Sequence, residues 1–176
     1  MNTQTGVIKD HGHLKPAEIS RDDYFMDIVR VVWEKGTCDR GRSGCVIVKD
    51  NMIVATGFVT SPKGSPTCDE VGHQMWKVDR EDGRVTDHCM RNNCAEQGAI
   101  ANALKQGDSL EWATLYVTMT PCTVRHCAHL IAACGITRVV CDKRYHDAKE
   151  SEEIFKRAGI EVVYLNNDVQ EYTITK

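Results

Sequence analysis

The sequence predicts a three-layer α/β/α domain, in which a five-stranded mixed sheet carries helices on both faces. Three observations predict it. Two β-branched runs, Cys45-Val46-Ile47-Val48 and Ile53-Val54-Ala55-Thr56, are joined through Asp50-Asn51 as an antiparallel hairpin. After a long irregular stretch, helix-forming and strand-forming segments alternate, the order that lays parallel strands beneath helices. The chain has 176 residues and is 41% hydrophobic, enough for one core of ordinary domain size.

Each element has a local reason. Residues 1–14 are polar, carry His11 and His13, and read as a flexible lead-in with solvated imidazoles, ahead of a single domain over 15–176. Ser20 caps a helix in which Tyr24, Phe25, Ile28, Val31 and Val32 recur at helical spacing, and Gly36 ends it. The hairpin follows. Over 59–93, Pro62, Gly64, Pro66 and Gly72 break any pattern, and Asp69, Glu70, Asp79, Glu81 and Asp82 add charge. A loop of that length inside a compact domain is usually functional. Ala95 to Gln106 is rich in helix formers. Leu115 to Thr118 reads as a strand stopped at Thr120-Pro121, and Cys122 to Ala133 as a helix opening just after a proline. Arg138 to Cys141 is a strand, Glu150 to Ala158 a helix closed by Gly159, and Val162 to Tyr164 the last strand.

Net charge is −3 with pI about 6.2, and no run of Lys or Arg forms a stripe. Bulk electrostatics therefore do not invite nucleic acid, although a small anionic substrate is compatible. No signal peptide is evident at Met1 and no apolar run approaches the roughly 18 residues of a membrane span, so a cytoplasmic protein with no membrane partner is expected. Nine cysteines is an odd number, and in a reducing compartment metal ligation or burial is the better expectation than disulfides.

The chemistry centres on Cys94-Ala95-Glu96, with Pro121-Cys122 and Cys127 some thirty residues on. Catalytic zinc takes three protein ligands and leaves a position for water, whose pKa it lowers to about 7. Cys94, Cys122 and Cys127 would be the ligands and Glu96 the proton carrier. Cys94 and Glu96 fall at a helix start, where backbone N–H groups and the helix dipole favour thiolate and carboxylate. The second pair repeats that placement, so two helix starts would face one ion. Spacing alone leaves the alternative of buried, unligated cysteines.

Several stretches together resemble the zinc-dependent cytidine/deoxycytidylate deaminase family, and within it the deoxycytidylate (dCMP) deaminases, over roughly residues 20–165. They are Asp23-Tyr24-Phe25-Met26, Thr37-Cys38-Asp39-Arg40, Gly44 to Asp50, Ala95-Glu96-Gln97, Thr114 to Val117 with Thr120-Pro121-Cys122, and Lys143-Arg144-Tyr145-His146-Asp147. The last segment resembles one found in members that act on nucleotides. The resemblance implies a cytidine-deaminase-like fold, zinc on Cys94, Cys122 and Cys127, and Glu96 moving a proton from water to the pyrimidine N3 and the leaving amine, so that dCMP becomes dUMP and ammonia. It implies Tyr145 as a substrate wall, with Lys143 and Arg144 near a 5′-phosphate that needs charge-assisted donors.

Four positions depart from the family pattern. Cys94 replaces the usual His, leaving a three-thiolate zinc site with a net negative charge that weakens its pull on water. The spacer between Cys122 and Cys127 is Thr123-Val124-Arg125-His126 instead of two residues, so Arg125 could donate to a ligand thiolate, or His126 could replace a cysteine. Gly98 stands where Asn is usual, and Phe58-Val59-Thr60 where Tyr-Asn-Gly is frequent. Cys68 to His73 and His88 to Arg91 resemble a segment of bacterial members, and with Cys38 they imply a second, closed structural zinc on Cys38, Cys68, His73 and Cys89; free thiols are the plainer alternative. Cys45, Cys134 and Cys141 read as core. The family also implies a homo-oligomer, often a hexamer, activated by dCTP and inhibited by dTTP with Mg2+. Free (deoxy)cytidine or another pyrimidine as substrate, and a zinc-bound inactive nucleotide-binding subunit, stay open. A polynucleotide deaminase would need a basic, aromatic-lined face, which the sequence lacks.

Overall fold

The computed structural model describes residues 9–12, 18–80 and 83–170. In chain order its elements are α1 (Arg21–Trp33), β1 (Gly44–Lys49), β2 (Met52–Phe58), α2 (Cys68–Val71), β3 (Met75–Asp79), β4 (Val85–Cys89), α3 (Ala95–Gln106), β5 (Thr114–Met119), α4 (Cys127–Ala133), β6 (Arg138–Tyr145), α5 (Lys149–Arg157), β7 (Glu161–Tyr164) and β8 (Val169–Gln170). The main sheet runs β2-β1-β5-β6-β7. β1 is antiparallel to β2 and β5, whereas β5, β6 and β7 are mutually parallel. β8 only extends the edge, pairing with Arg144 and Tyr145. The mixed five-stranded α/β sheet expected from the sequence is therefore present.

Strand alternation sorts the core into two layers. Cys45 and Ile47 of β1, with Leu115, Val117, Val139 and Cys141, pack under α3, α4 and Phe155 of α5. Val46, Val48, Tyr116 and Val140 pack on the other face against Phe25, Met26 and Val29 of α1. Both helical layers lie very close to the hairpin. A Cβ on Gly57 would meet the Ala95 carbonyl at 2.2 Å and the Ala99 nitrogen at 2.3 Å, and one on Gly44 would meet the Val29 carbonyl at 2.6 Å. Only glycine allows such approach of backbone to backbone. The β1–β2 turn at Asp50-Asn51 has both residues left-handed, the twist-matched form for a two-residue hairpin.

Ser20 caps α1, its hydroxyl accepting from the Asp23 N–H at 3.0 Å. The buried stripe, however, is Phe25, Met26, Val29 and Arg30, while Tyr24 and Val31 are exposed. Polar ties set this rotation. Asp22 accepts from Tyr116 Oη and from both terminal nitrogens of Arg138, and Arg30 reaches Asp142 at 2.6 Å, so positions 22 and 30 face the sheet. Of the lead-in, residues 9–12 are described and lie on α1: Lys9 pairs with Asp23 at 2.6 Å and His11 with Asp27. His13 lies outside the described residues.

The expected loop over 59–93 is more regular than the sequence suggests. It holds α2 and a separate two-stranded ribbon, β3–β4, paired from Met75 with Cys89 to Asp79 with Val85. Both faces of β3 are largely exposed, so no burial imposes alternation on its sequence. The ribbon is latched instead by charge at its far end: Arg80, buried, contacts Asp147 at 2.8 Å and Glu150 at 2.9 Å, and Arg84 adds a 2.8 Å contact to Asp147. Among the described residues, no helix is long and apolar enough to cross a membrane.

Candidate metal and catalytic site

Cys94 is the N-cap of α3, with extended backbone, and Cys127 is the first residue of α4. Cys122 is not helical as expected; α4 starts five residues later, after a turn over Thr123–His126 in which the His126 N–H donates to the Thr123 carbonyl at 2.8 Å. The reason is angular. Residues five apart in an α-helix point roughly 140° apart at 100° per residue, which would splay the two sulfurs. The turn, closed by His126 at φ 59°, brings them together.

The three sulfurs converge. Cys94 Sγ lies 4.0 Å from Cys122 Sγ, Cys122 Sγ lies 3.7 Å from Cys127 Sγ, and all three fall within 4.8 Å of one another. Zinc–sulfur bonds of about 2.3 Å at a tetrahedral angle place sulfurs roughly 3.8 Å apart, so this set fits zinc. Shared protons also hold the Cys122 thiol well below its ordinary range, through donation from the Cys127 and Cys94 thiols and the Arg125 backbone N–H. His126 does not join them: it is exposed, with its ring 5.4 Å from that of His129.

A second set, Cys38, Cys68, His73 and Cys89, is equally compact. Cys68 and Cys89 sulfurs are 3.5 Å apart and Cys38 Sγ is 3.7 Å from His73 Nδ1. Three sulfurs and one imidazole match a closed tetrahedral site, for which a sulfur–nitrogen separation of roughly 3.6 Å is expected. Asn92, accepting from Ser61, donates to Cys68 Sγ at 3.0 Å. Cys45 and Cys141 are fully buried in the sheet, as read from the sequence, and Cys134 is half-buried.

Between the two sets lies a cavity of about 100 Å³, lined by members of both together with Glu96, Arg40, His88, Asn92, Arg125 and Tyr145. Glu96 is 5% exposed. Burial first, then the Cys122 charge, pushes its carboxyl up to about 8, with Arg125 pulling the other way. A carboxyl poised near neutrality can both accept and give a proton. Tyr145 lines the cavity, its hydroxyl pushed up to about 12 by burial.

The basic residues are arranged otherwise than the sequence suggests. Arg144 is exposed and pairs with Glu152 at 2.6 Å, and neither it nor Lys143 lines the cavity; Lys143 sits opposite cavity-lining Met119 across the β5–β6 pair. Arg40 and Arg125 line it instead. Arg40 donates to the Asp87 carbonyl at 3.0 Å and Arg125 to the Cys89 carbonyl at 3.1 Å, so among the described residues neither has a carboxylate partner. The Arg125 guanidinium thus holds a carbonyl, not a ligand thiolate; its backbone N–H meets Cys122. Arg40, His88 and Asn92 were missed as cavity residues, and their sequence signal is proximity to the two cysteine sets: Arg40 is two residues after Cys38, His88 directly before Cys89, Asn92 two before Cys94. A Cβ on Gly98 would find only ordinary contacts, the nearest at 3.7 Å, so packing does not demand glycine there.

An α/β/α domain that gathers three sulfurs, two of them at helix starts, beside one buried carboxyl at the wall of a cavity has the arrangement of the metal-dependent hydrolytic deaminases. Residues 19–143 match the family model for the cytidine and deoxycytidylate deaminase zinc-binding region. The chain is 36% identical over 125 residues to the deoxycytidylate deaminase of Mycobacterium phage D29, covering 69% of this chain and 94% of that protein. It is 30% identical over 167 residues to the deoxycytidylate deaminase of Enterobacteria phage T4, covering 78% and 86%. The dCMP deaminase of cyanophage S-TIM5, crystallised with dCMP and dUMP, superposes with a TM-score of 0.65 over 87% of this chain and 100% of that one; at 24% identity this likeness speaks to the fold. The chain is an enzyme belonging to the cytidine and deoxycytidylate deaminase family.

Proposed function

We propose that the enzyme hydrolyses the amine of dCMP, releasing dUMP and ammonia. The observation that carries this reading is Glu96, a buried carboxyl facing the same cavity as the Cys94–Cys122–Cys127 cluster, in a chain whose relatives carry the name deoxycytidylate deaminase. Zinc held by those three sulfurs would supply a Lewis acid that makes water nucleophilic near neutral pH. Glu96 carries both protons of the attacking water in turn, the first to the pyrimidine N3 and the second, from the hydroxyl left on C4, to the amine that departs as ammonia. Tyr145 closes one side of the cavity against bulk solvent. Arg40 and Arg125, with no carboxylate partner among the described residues, meet the 5′-phosphate. The second set, Cys38, Cys68, His73 and Cys89, holds a structural zinc that fixes the 59–93 segment.

Regulation by dCTP and by dTTP with Mg2+, a hexameric assembly and a cytoplasmic location complete the proposal, and rest on the family resemblance. The free nucleoside is the second reading, favoured by the three-thiolate ligand set that Cys94 creates. A panel of dCMP, deoxycytidine, cytidine and 5-substituted dCMP assayed for ammonia release decides between them. We expect turnover of dCMP at least a hundredfold above deoxycytidine; equal or reversed rates overturn the phosphate assignment, and no turnover of any member overturns deamination.

A further inference from the structure

Arg125 touches both cysteine clusters. Its guanidinium donates to the Cys89 carbonyl at 3.1 Å, on a residue whose sulfur belongs to the second cluster. Its backbone N–H donates to the Cys122 sulfur of the first. Its backbone carbonyl accepts from Gln97 Nε2 at 2.9 Å, and the Oε1 of that same Gln97 accepts from the Cys94 N–H at 3.0 Å. The carbonyl also lies 4.0 Å from Cys127 Sγ. One residue therefore reaches every ligand of the first cluster, directly or through Gln97, and one ligand of the second. It can do so because it sits in the turn between Cys122 and Cys127, with its side chain lining the cavity that separates the two clusters.

We propose that Arg125 is a positioning residue that couples metal binding at the two clusters, so that filling Cys38–Cys68–His73–Cys89 tightens binding at Cys94–Cys122–Cys127. Metal at the second cluster fixes Cys89 and hence its carbonyl. The guanidinium then holds the Thr123–His126 turn in the conformation that points the Arg125 N–H and carbonyl at the first set of ligands. Partners of this kind are typically worth ten- to hundredfold in metal affinity. The covalent path Met90–Asn93 between Cys89 and Cys94 offers a parallel route, so the test must isolate the arginine. The proposal rests on both metal sites of the reading above and not on deamination.

The probe is ¹¹³Cd2+ added to the full-length apo protein, with NMR resolving a three-sulfur site from a three-sulfur, one-nitrogen site, and a competing chelator setting the free metal. His73→Ala removes an outlying ligand of the second cluster, and Arg125→Ala removes the strut. In the otherwise native chain, His73→Ala is expected to weaken cadmium at the first cluster about tenfold; in the Arg125→Ala background the same change is expected to cost it less than twofold. Equal first-cluster affinity with and without His73 overturns the coupling, and an undiminished tenfold loss in the Arg125→Ala background overturns the role of Arg125. A single resonance at saturation removes the second site and the proposal with it, leaving the deaminase reading standing. Should Arg125→Ala fail to fold, Arg125→Gln, too short to span to Cys89, takes its place with the same expectations.

Discussion

In the proposed reaction Glu96 carries the protons, and its neighbourhood explains why it can serve. It is two positions after Cys94 on the first turn of α3, buried, and forms no ion pair with a cation among the described residues. A proton carrier needs that poise, and a purely structural zinc site does not. Glu96→Gln keeps the shape and the three sulfurs, so zinc content should stay at the native level while ammonia release from dCMP falls roughly 10²- to 10⁴-fold. Metal analysis beside the assay checks both halves; retained turnover would move the proton to another group. The cysteines and Glu96 were legible because spacing and helix starts carry the information locally. Arg40 and His88 were not, because their approach to the cavity is decided by where the ribbon and the 34–43 loop come to rest.

At the level of elements, β3–β4 shows how a segment can be ordered without a hydrophobic signature. Met75, Trp76, Lys77 and Asp79 are all exposed, so nothing in the sequence alternates. Its order comes from one end held by the second cysteine cluster and the other by Arg80 on Asp147 and Glu150. Asp147 belongs to the Lys143–Asp147 segment from which nucleotide specificity was inferred, and here it serves as the latch. Arg80→Met removes the buried cation while Arg84 still meets Asp147, for a cost of roughly 1–3 kcal/mol. Hydrogen exchange should quicken within residues 75–89 and around Asp147, leaving α1 and the main sheet unchanged. Global acceleration would mean that the ribbon is part of the main cooperative unit. The α1 stripe illustrates the same limit: apolar spacing nominated Tyr24 and Val31, but tertiary ion pairs turned the helix so that both face outward.

Across the whole molecule, α1 is bound to the sheet by charge as well as by its apolar face. The bidentate Arg138 guanidinium first, and the Tyr116 hydroxyl next among the favourable contacts, lower the Asp22 carboxyl below its usual range against the opposing effect of burial. The folded protein thus binds that proton less readily than the unfolded chain. Its contribution is complete above an unfolded value of about 4, and is lost as pH falls through the depressed folded value. Asp22→Asn should cost about 1 kcal/mol at pH 7 for a pair this close to the surface. Denaturant titrations of both proteins from pH 7 to pH 2 should show the gap closing only in the acid limb. A gap independent of pH would assign the loss to packing.

Gly44 and Gly57 of the first hairpin limit how this chain can vary. Gly44 and Gly57 sit on neighbouring strands, each under a helix from an opposite layer, and each is overhung by backbone that no rotamer change can move aside. Trimming a side chain above them gives no relief, since the obstacle at Gly57 is the main chain of Ala95 and Ala99. In a randomised library selected for turnover, these two sites should therefore accept no replacement and gain none from second-site suppressors. Position 98, equally glycine but with ordinary helical backbone and facing room, should diversify, whereas Gly107, left-handed at φ 81° as the C-cap of α3, should not.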